Sequence, residues 1–402
     1  MFENYKEVSF RPELRGFITR LKRVRVSSRQ SIPYDQAGNG IRFETYRLIR
    51  DVPIRDSEAM KIKRRTTPKL SDVARLAGVG NATASRVLNG GTNVSGESRR
   101  RVKAAMDELD YRPNRIARSL RGASSGMIGM IVPSISDSFF SQCAESVEIV
   151  ARRKGFFLVV TASHDDPELE LNNLEQLLLH RMDGLILSSA QTSNPRLHRA
   201  LQQLDVPIVG LDRPLTKTRF SSVVSANFEG AKSATEHLLE HGYRQVLCLY
   251  LKPELYPIKE RLRGYTKAMR KAGLEPLLQY VTSAADVESC IRRYVGASTS
   301  TIGIFAANNR ATGYISEALH TLKLRVPAQI AVLGFDDLDL AGMMSPPMSV
   351  VVQPIEELGV RAAELLFKCI AEPEGQPPDE RHRTLVLPTH LLLRESCGCP
   401  SQ

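Results

Sequence analysis

Asn81 and Arg86 stand five residues apart in the run Asn81-Ala-Thr-Ala-Ser-Arg86. A carboxamide pairs in bidentate fashion with adenine and a guanidinium with guanine, so both side chains can read base edges. Thr83 and Ser85 between them carry hydroxyls suited to phosphate, a contact that sets register without reading sequence. A second set of polar and aromatic residues follows apolar, strand-like runs. Phe139 and Phe140 come after Met127–Val132, Asp212-Arg213 after Val206–Leu211, Asn308-Asn309 after Ile302–Ala307 and Asp336 after Ile330–Phe335. The ends of buried parallel strands are where α/β proteins bind small ligands. Cys397-Gly-Cys399 offers two thiolates, but only His390 is near in sequence and no further ligand has zinc spacing. No metal site is therefore expected, and this end of the chain reads as frayed and inert. There is no glycine-rich phosphate loop and no nucleophile–base constellation, so neither catalysis nor a cofactor is expected.

The elements that must position these groups differ in charge. Residues 61–122 hold 15 basic and 5 acidic side chains, while residues 123–402 hold 28 and 31. A compact basic module on a near-neutral body is the footprint of nucleic-acid binding. Within it, apolar residues at helical spacing predict helices over Leu70–Ala77, Asn81–Leu88 and Glu97–Leu109. Two short helices joined by a tight turn make a helix-turn-helix, whose second helix presents its N-terminal residues to the major groove. Arg99, Arg100 and Arg101 form a charge run of which one member is expected to meet phosphate. Asn114–Leu120 predicts one more short helix after the break at Tyr111-Arg-Pro113, and Gly122–Gly126 a linker. From Met127 onward short apolar strands alternate with helices, which predicts parallel sheets covered on both faces and, at this length, two lobes. No run suits a membrane span and no signal peptide opens the chain. Six scattered cysteines fit a reducing, cytoplasmic setting.

The stretch Leu70-Ser-Asp-Val-Ala-Arg-Leu-Ala-Gly-Val-Gly-Asn-Ala-Thr-Ala-Ser-Arg-Val-Leu-Asn89 resembles the DNA-binding motif of the lactose-repressor (LacI/GalR) family. Tyr111-Arg-Pro-Asn-Arg-Ile-Ala-Arg-Ser-Leu-Arg121 resembles its hinge segment, and the body resembles its sugar-binding-protein-like core. The resemblance implies a helix-turn-helix domain over residues 60–110 and a hinge over 111–125. It implies an effector-binding, dimerising core over 126–402, its lobes interleaved with crossovers near 226, 357 and 386. It places Asn81, Ala82 and Arg86 at base-reading positions. In the hinge it adds Asn114, Ala117, Leu120 and Arg121 as DNA contacts, with Leu120 the wedge that kinks the minor groove. One protomer reads one half-site, so a homodimer on palindromic operator DNA follows. Gly80 and Ala84 stand where the family usually has Ser and Val. A Gly cap costs a few tenths of a kcal/mol, and the smaller side chain about 1 kcal/mol of burial.

Effector contacts implied by the resemblance are Arg261, which is expected to open a helix, and Asp336. Phe139, Phe140, Arg213 and Asn309 join them from their strand-end positions. Asn309 and Ala226 replace carboxylates usual in the family; the effector is expected to be a sugar or a sugar acid, the missing carboxylates favouring a more acidic ligand met by Arg213 and Arg261. The reading is a transcriptional regulator, a repressor under control of a small-molecule effector. Two other classes are a free solute-binding protein, opposed by the basic module, and a sugar-modifying enzyme, opposed by the missing catalytic groups. Residues 1–59 fall outside the resemblance, and Met60 is expected to be the true initiator.

Overall fold

The apolar residues at helical spacing in the basic module close a small core. In the computed structural model, Val73, Ala74, Ala77, Ala84, Val87, Val102 and Ala105 are buried together. They come from α1 (Leu70–Leu76) with its C-cap Ala77, α2 (Asn81–Leu88) and α3 (Gly96–Glu108). Ser95 caps α3 by accepting from the Ser98 N–H at 3.2 Å. The structure describes residues 68–88, 91, 93–111, 124–191, 194–215, 218, 220–297, 301–337, 341–372 and 383–400. The expectations for residues 1–67 and for the hinge residues Asn114, Ala117, Leu120 and Arg121 lie outside them.

Two six-stranded sheets form the body. The first lobe uses β1 (Met127–Val132), β2 (Phe157–Ala162), β3 (Gly184–Leu187), β4 (Ile208–Leu211), β5 (Ser222–Ser225) and a later strand, β11 (Thr384–Leu387). Its order is β11-β5-β4-β3-β1-β2, all parallel. Helices α4 (Ser138–Arg153), α5 (Pro167–Leu179) and α6 (Pro195–Gln202) connect its early strands. The second lobe uses β6 (Val246–Tyr250), β7 (Leu277–Tyr280), β8 (Ile302–Ala306), β9 (Ile330–Phe335), β10 (Ser349–Val352) and β12 (His390–Leu392). Its order is β12-β10-β9-β8-β6-β7, with only β12 antiparallel. Its helices are α7 (Asn227–Glu240), α8 (Tyr256–Lys271), α9 (Ala284–Ala297) and α10 (Asn309–Leu322), whereas α11 (Ile355–Ala371) returns to pack on α4. Strands such as β3, β8 and β9 are buried along their whole length because helices cover both faces.

The chain passes between lobes three times: from β5 into α7, from β10 through Gln353-Pro354 into α11, and from β11 into β12. Helices α7 and α8 lie very close. A Cβ on Gly264 would sit 2.1 Å from the Phe228 carbonyl oxygen, so only glycine fits there.

Three expectations need correction. Arg261 does not open a helix; α8 starts at Tyr256, and Arg261 lies a turn further in, buried. The C-terminal segment is not frayed. Ser396 donates from its N–H to Pro347 O (3.0 Å) and from its hydroxyl to Val332 O (2.7 Å), while its carbonyl accepts from the Val332 N–H (2.8 Å). Nor are Cys397 and Cys399 without companions suited to a metal. The partners are His237 and His241 on α7, brought up by tertiary packing, and not the nearby His390 on the edge strand β12.

Candidate functional site

Helix α2 turns one face to the headpiece core and the other outward. Ala84 and Val87 are buried, Asn81, Ala82 and Arg86 are exposed, and Thr83 and Ser85 are partly covered. This follows from the 3.6-residue period: with Ala84 and Val87 buried, Ala82 falls opposite them and Asn81 and Arg86 fall on its two flanks, open to solvent. Gly80 caps α2 through its carbonyl alone, which accepts from Thr83 and Ala84. The arginine run divides. Arg99 reaches back to the Gly91 carbonyl at 2.8 Å, and Arg101 lies 4.0 Å from Glu97. At the first residues of the body, the Asp183 carboxylate accepts from the Ser124 hydroxyl (2.8 Å), the Ser125 hydroxyl (2.9 Å) and the Gly126 N–H (2.7 Å). One carboxylate thus fixes where the chain enters the first lobe.

The strand-end groups converge between the lobes. Arg213 is buried and donates from Nη1 to Asp165 (2.7 Å) and to the Ser189 carbonyl (2.8 Å). Arg261 donates from Nε to Asn227 (2.8 Å) and from Nη1 to the Ala307 carbonyl (2.9 Å). Its Nη1 lies 3.6 Å from Asp336, and its guanidinium is 3.6 Å from the centre of the Phe335 ring. Gln353 donates to Asp336 at 2.5 Å. Among the described residues, two side-chain hydrogen bonds cross the cleft: Asn309 to Asp137 at 3.2 Å, and Lys252 to Asp165.

Burial dominates the electrostatics here. It raises the Asp212 carboxyl to about 6, against the pull of Arg213 and Arg261 and with help from Asp336 and Asp137. It raises Asp137 and Glu170 as well. Asp165 goes the other way: burial would raise it, but Arg213 and Lys252 together hold it down.

The backbone is strained at the same place. Asp165, Asp212, Lys252 and Asp336 all adopt left-handed φ values, between 49° and 77°, each just past the end of a strand. Such conformations cost of order 1 kcal/mol or more and collect at ligand sites. Buried polar atoms without a hydrogen-bond partner among the described residues are Thr161 Oγ1, Ser188 Oγ, Arg213 Nε, Ser225 Oγ and Gln353 Oε1. All five belong to C-terminal ends of strands or the residues just beyond them.

Of the residues read from sequence, Arg213, Arg261, Asn309 and Asp336 meet in this network. Phe139 and Phe140 follow Asp137 at the start of α4, where the Phe139 N–H donates to the Asp137 carboxylate at 3.1 Å. They are 7% and 6% exposed and pack edge to face in the first lobe's core with Cys143, Val147 and Leu358. Sequence reasoning missed Asp137, Asp165, Glu170, Asn227, Lys252 and Gln353. Most of these also follow strand ends, which is the signal that could have found them. Asp137, Asp165, Asp212 and Asp336 supply carboxylates, and Arg213 and Arg261 pair with Asp165 and Asp336. A separate groove of about 790 Å³ lies on α8, lined by Phe228, Arg263, Lys267, Arg270 and Lys271 among others; it is a basic surface feature away from the strand ends.

Residues 69–114 match the model of bacterial regulatory proteins, lacI family, and residues 235–397 match that of the periplasmic binding protein-like domain. A ribose operon repressor of Halalkalibacterium halodurans is 33% identical over 328 residues, which are 81% of this chain and 96% of that protein. Among solved structures, a transcriptional regulator CelR–cellobiose complex is 31% identical with a TM-score of 0.60, covering 82% of this chain and 99% of its own. The lac repressor dimer bound to operator and the anti-inducer ONPF is 26% identical with a TM-score of 0.71 and the same coverage. Among the described residues no helix is long and apolar enough to cross a membrane. The chain belongs to the lacI family of bacterial regulatory proteins and is a DNA-binding transcriptional regulator, not an enzyme.

Proposed function

We propose a cytoplasmic homodimeric repressor that binds palindromic operator DNA and answers to a neutral, hydroxyl-rich effector of the carbohydrate class. Asn81, Ala82 and Arg86 face base edges, and Thr83 and Ser85 face phosphates. The hinge residues Asn114, Ala117, Leu120 and Arg121 complete the contact in the minor groove, a role carried by the family resemblance. Dimerisation brings two headpieces to two half-sites, and the exposed Tyr280 and Leu278 on edge strand β7 offer apolar surface for it.

The observation that carries the effector reading is the interlobe network itself. Four aspartates, two arginines, a lysine and three amides line the strand ends, with buried polar atoms still to be paired. Vicinal hydroxyls both donate and accept, so they suit alternating carboxylate and guanidinium partners. A sugar acid would add a negative charge among four carboxylates, against two arginines and one lysine already engaged. The cellobiose complex and the ribose-operon name of the relatives point the same way. The effector acts by favouring one lobe arrangement and so shifting the dimer between DNA-competent and incompetent populations.

The test is calorimetric titration of the full chain with a panel of pentoses, hexoses, disaccharides, sugar acids and purines. A neutral sugar should bind and alter affinity for DNA selected by the protein. Binding confined to a purine or a sugar acid would overturn the effector class.

A further inference from the structure

His237 lies in the last turn of α7, and His241 is the residue that caps it. Four residues apart on a helix, they share a face, and their ring centres are 4.7 Å apart. Against them lies Cys397-Gly-Cys399, 156 residues on from His241. His237 Nε2 is 3.3 Å from Cys397 Sγ and 3.6 Å from Cys399 Sγ, and His241 Nε2 is 3.3 Å from Cys399 Sγ. The four donor atoms all lie within 4.8 Å of one another.

Those lengths are informative. Zinc–nitrogen bonds of about 2.0–2.1 Å and zinc–sulfur bonds of about 2.3 Å at tetrahedral angles put N and S about 3.6 Å apart. Three of the nitrogen–sulfur separations sit within 0.3 Å of that edge, and all four donor atoms stay within 4.8 Å of one another. Two thiolates and two imidazoles suit zinc among biological metals.

The cluster is also held in advance of any metal. Ser396, one residue before Cys397, is fixed by main-chain and hydroxyl bonds to Val332, Pro347 and Ser349. The Ser349 hydroxyl reaches Cys397 Sγ at 3.1 Å, an outer-shell donor of the kind that orients metal ligands. Gly398 takes φ of 101°, and a Cβ there would lie 2.7 Å from the Tyr243 hydroxyl, so glycine lets both sulfurs face the histidines. Cys397 is fully buried, whereas His241 is exposed and Cys399 half-buried, which leaves an entry path from one side.

We infer that His237, His241, Cys397 and Cys399 form a structural Zn²⁺ site that ties the C-terminal segment to the end of α7. On binding, the imidazoles coordinate as neutral Nε2 donors and any protons on the two thiols leave to solvent. Because the site is at the far end of the helix from Asn227, it acts on the stability of the second lobe and not on the effector directly.

The experiment uses the tag-free full chain, stripped with a chelator under reducing conditions and titrated with Co²⁺ and then Zn²⁺. Co²⁺ should bind once per chain with tetrahedral ligand-field bands and a thiolate charge-transfer band, Zn²⁺ should bleach both, and Zn²⁺ should raise the melting temperature. Cys399→Ser and His241→Ala alter the accessible half of the site, so the apo fold should survive in both, checked by circular dichroism. Each should lose the charge-transfer intensity or tetrahedral bands and the thermal shift. The proposal is overturned by octahedral cobalt spectra, by binding that both variants retain, or by a Cys397–Cys399 disulfide in protein purified under reducing conditions.

Discussion

Asn309 on the second lobe donates to the Asp137 carboxylate on the first at 3.2 Å, and so spans the cleft. Lys252 and Asp165 make a second bridge. Both pairs join the ends of strands from different sheets, so lobe closure and the ligand-facing network are one structure. Asn309→Ala removes a hydrogen bond to a charged acceptor, worth about 1.5–3 kcal/mol. The expected result is roughly tenfold weaker effector binding by calorimetry, with the thermal melt still cooperative. Unchanged effector affinity would mean that the bridge plays no part in closure.

Asp212 makes the fold pH-sensitive. Its folded-state carboxyl is raised from 3.8 to about 6, so the native state binds the proton more tightly than the unfolded chain. Its contribution is present in full below about 4 and is lost as pH rises through about 6. Asp212→Asn, neutral at every pH, should remove this loss. Urea melts at pH 4 and pH 7 check it: the variant's advantage over the wild type should grow toward neutral pH.

Arg261 is both wall and prop. It is buried, and its removal strands Asp336, Asn227 and the Ala307 carbonyl. Breaking one side of a buried pair costs about 3–5 kcal/mol, so Arg261→Ala should lower the melting point sharply. Asp336→Asn keeps shape and should keep the fold while losing the effector response, read as DNA affinity with and without sugar.

Gly264→Ala should destabilise the second lobe. Its Cβ would meet the Phe228 carbonyl at 2.1 Å, and neither helix backbone can yield cheaply. Overpacking of this kind costs about 1–3 kcal/mol or more, measurable by chemical denaturation.

The strand–helix alternation was legible because buried parallel strands are continuous apolar runs, and the headpiece because its helices are short and sharply punctuated. Strand ends pointed to Arg213, Asn309 and Asp336 for the same reason. The pattern could not show how far Phe139 and Phe140 are buried, since apolar residues at the start of a helix read alike in a core and in a pocket. It could not show that Arg213 and Arg261 are neutralised, because Asp165 and Asp336 reach them only through tertiary packing. It missed His237 and His241 as companions of Cys397 and Cys399 because 156 residues separate the two pairs, and no local spacing encodes that meeting.

Whether α2 reads operator bases is decided by base-by-base binding of the wild type and Arg86→Ala to DNA selected by the full chain. Fluorescence anisotropy at several salt concentrations should give wild-type affinity that falls steeply with salt as phosphates are neutralised. Arg86→Ala should lose about 1–3 kcal/mol of discrimination at a single base pair in each half-site and little elsewhere. A uniform loss at every position, or wild-type binding that prefers no sequence, would mean that Arg86 does not read a base.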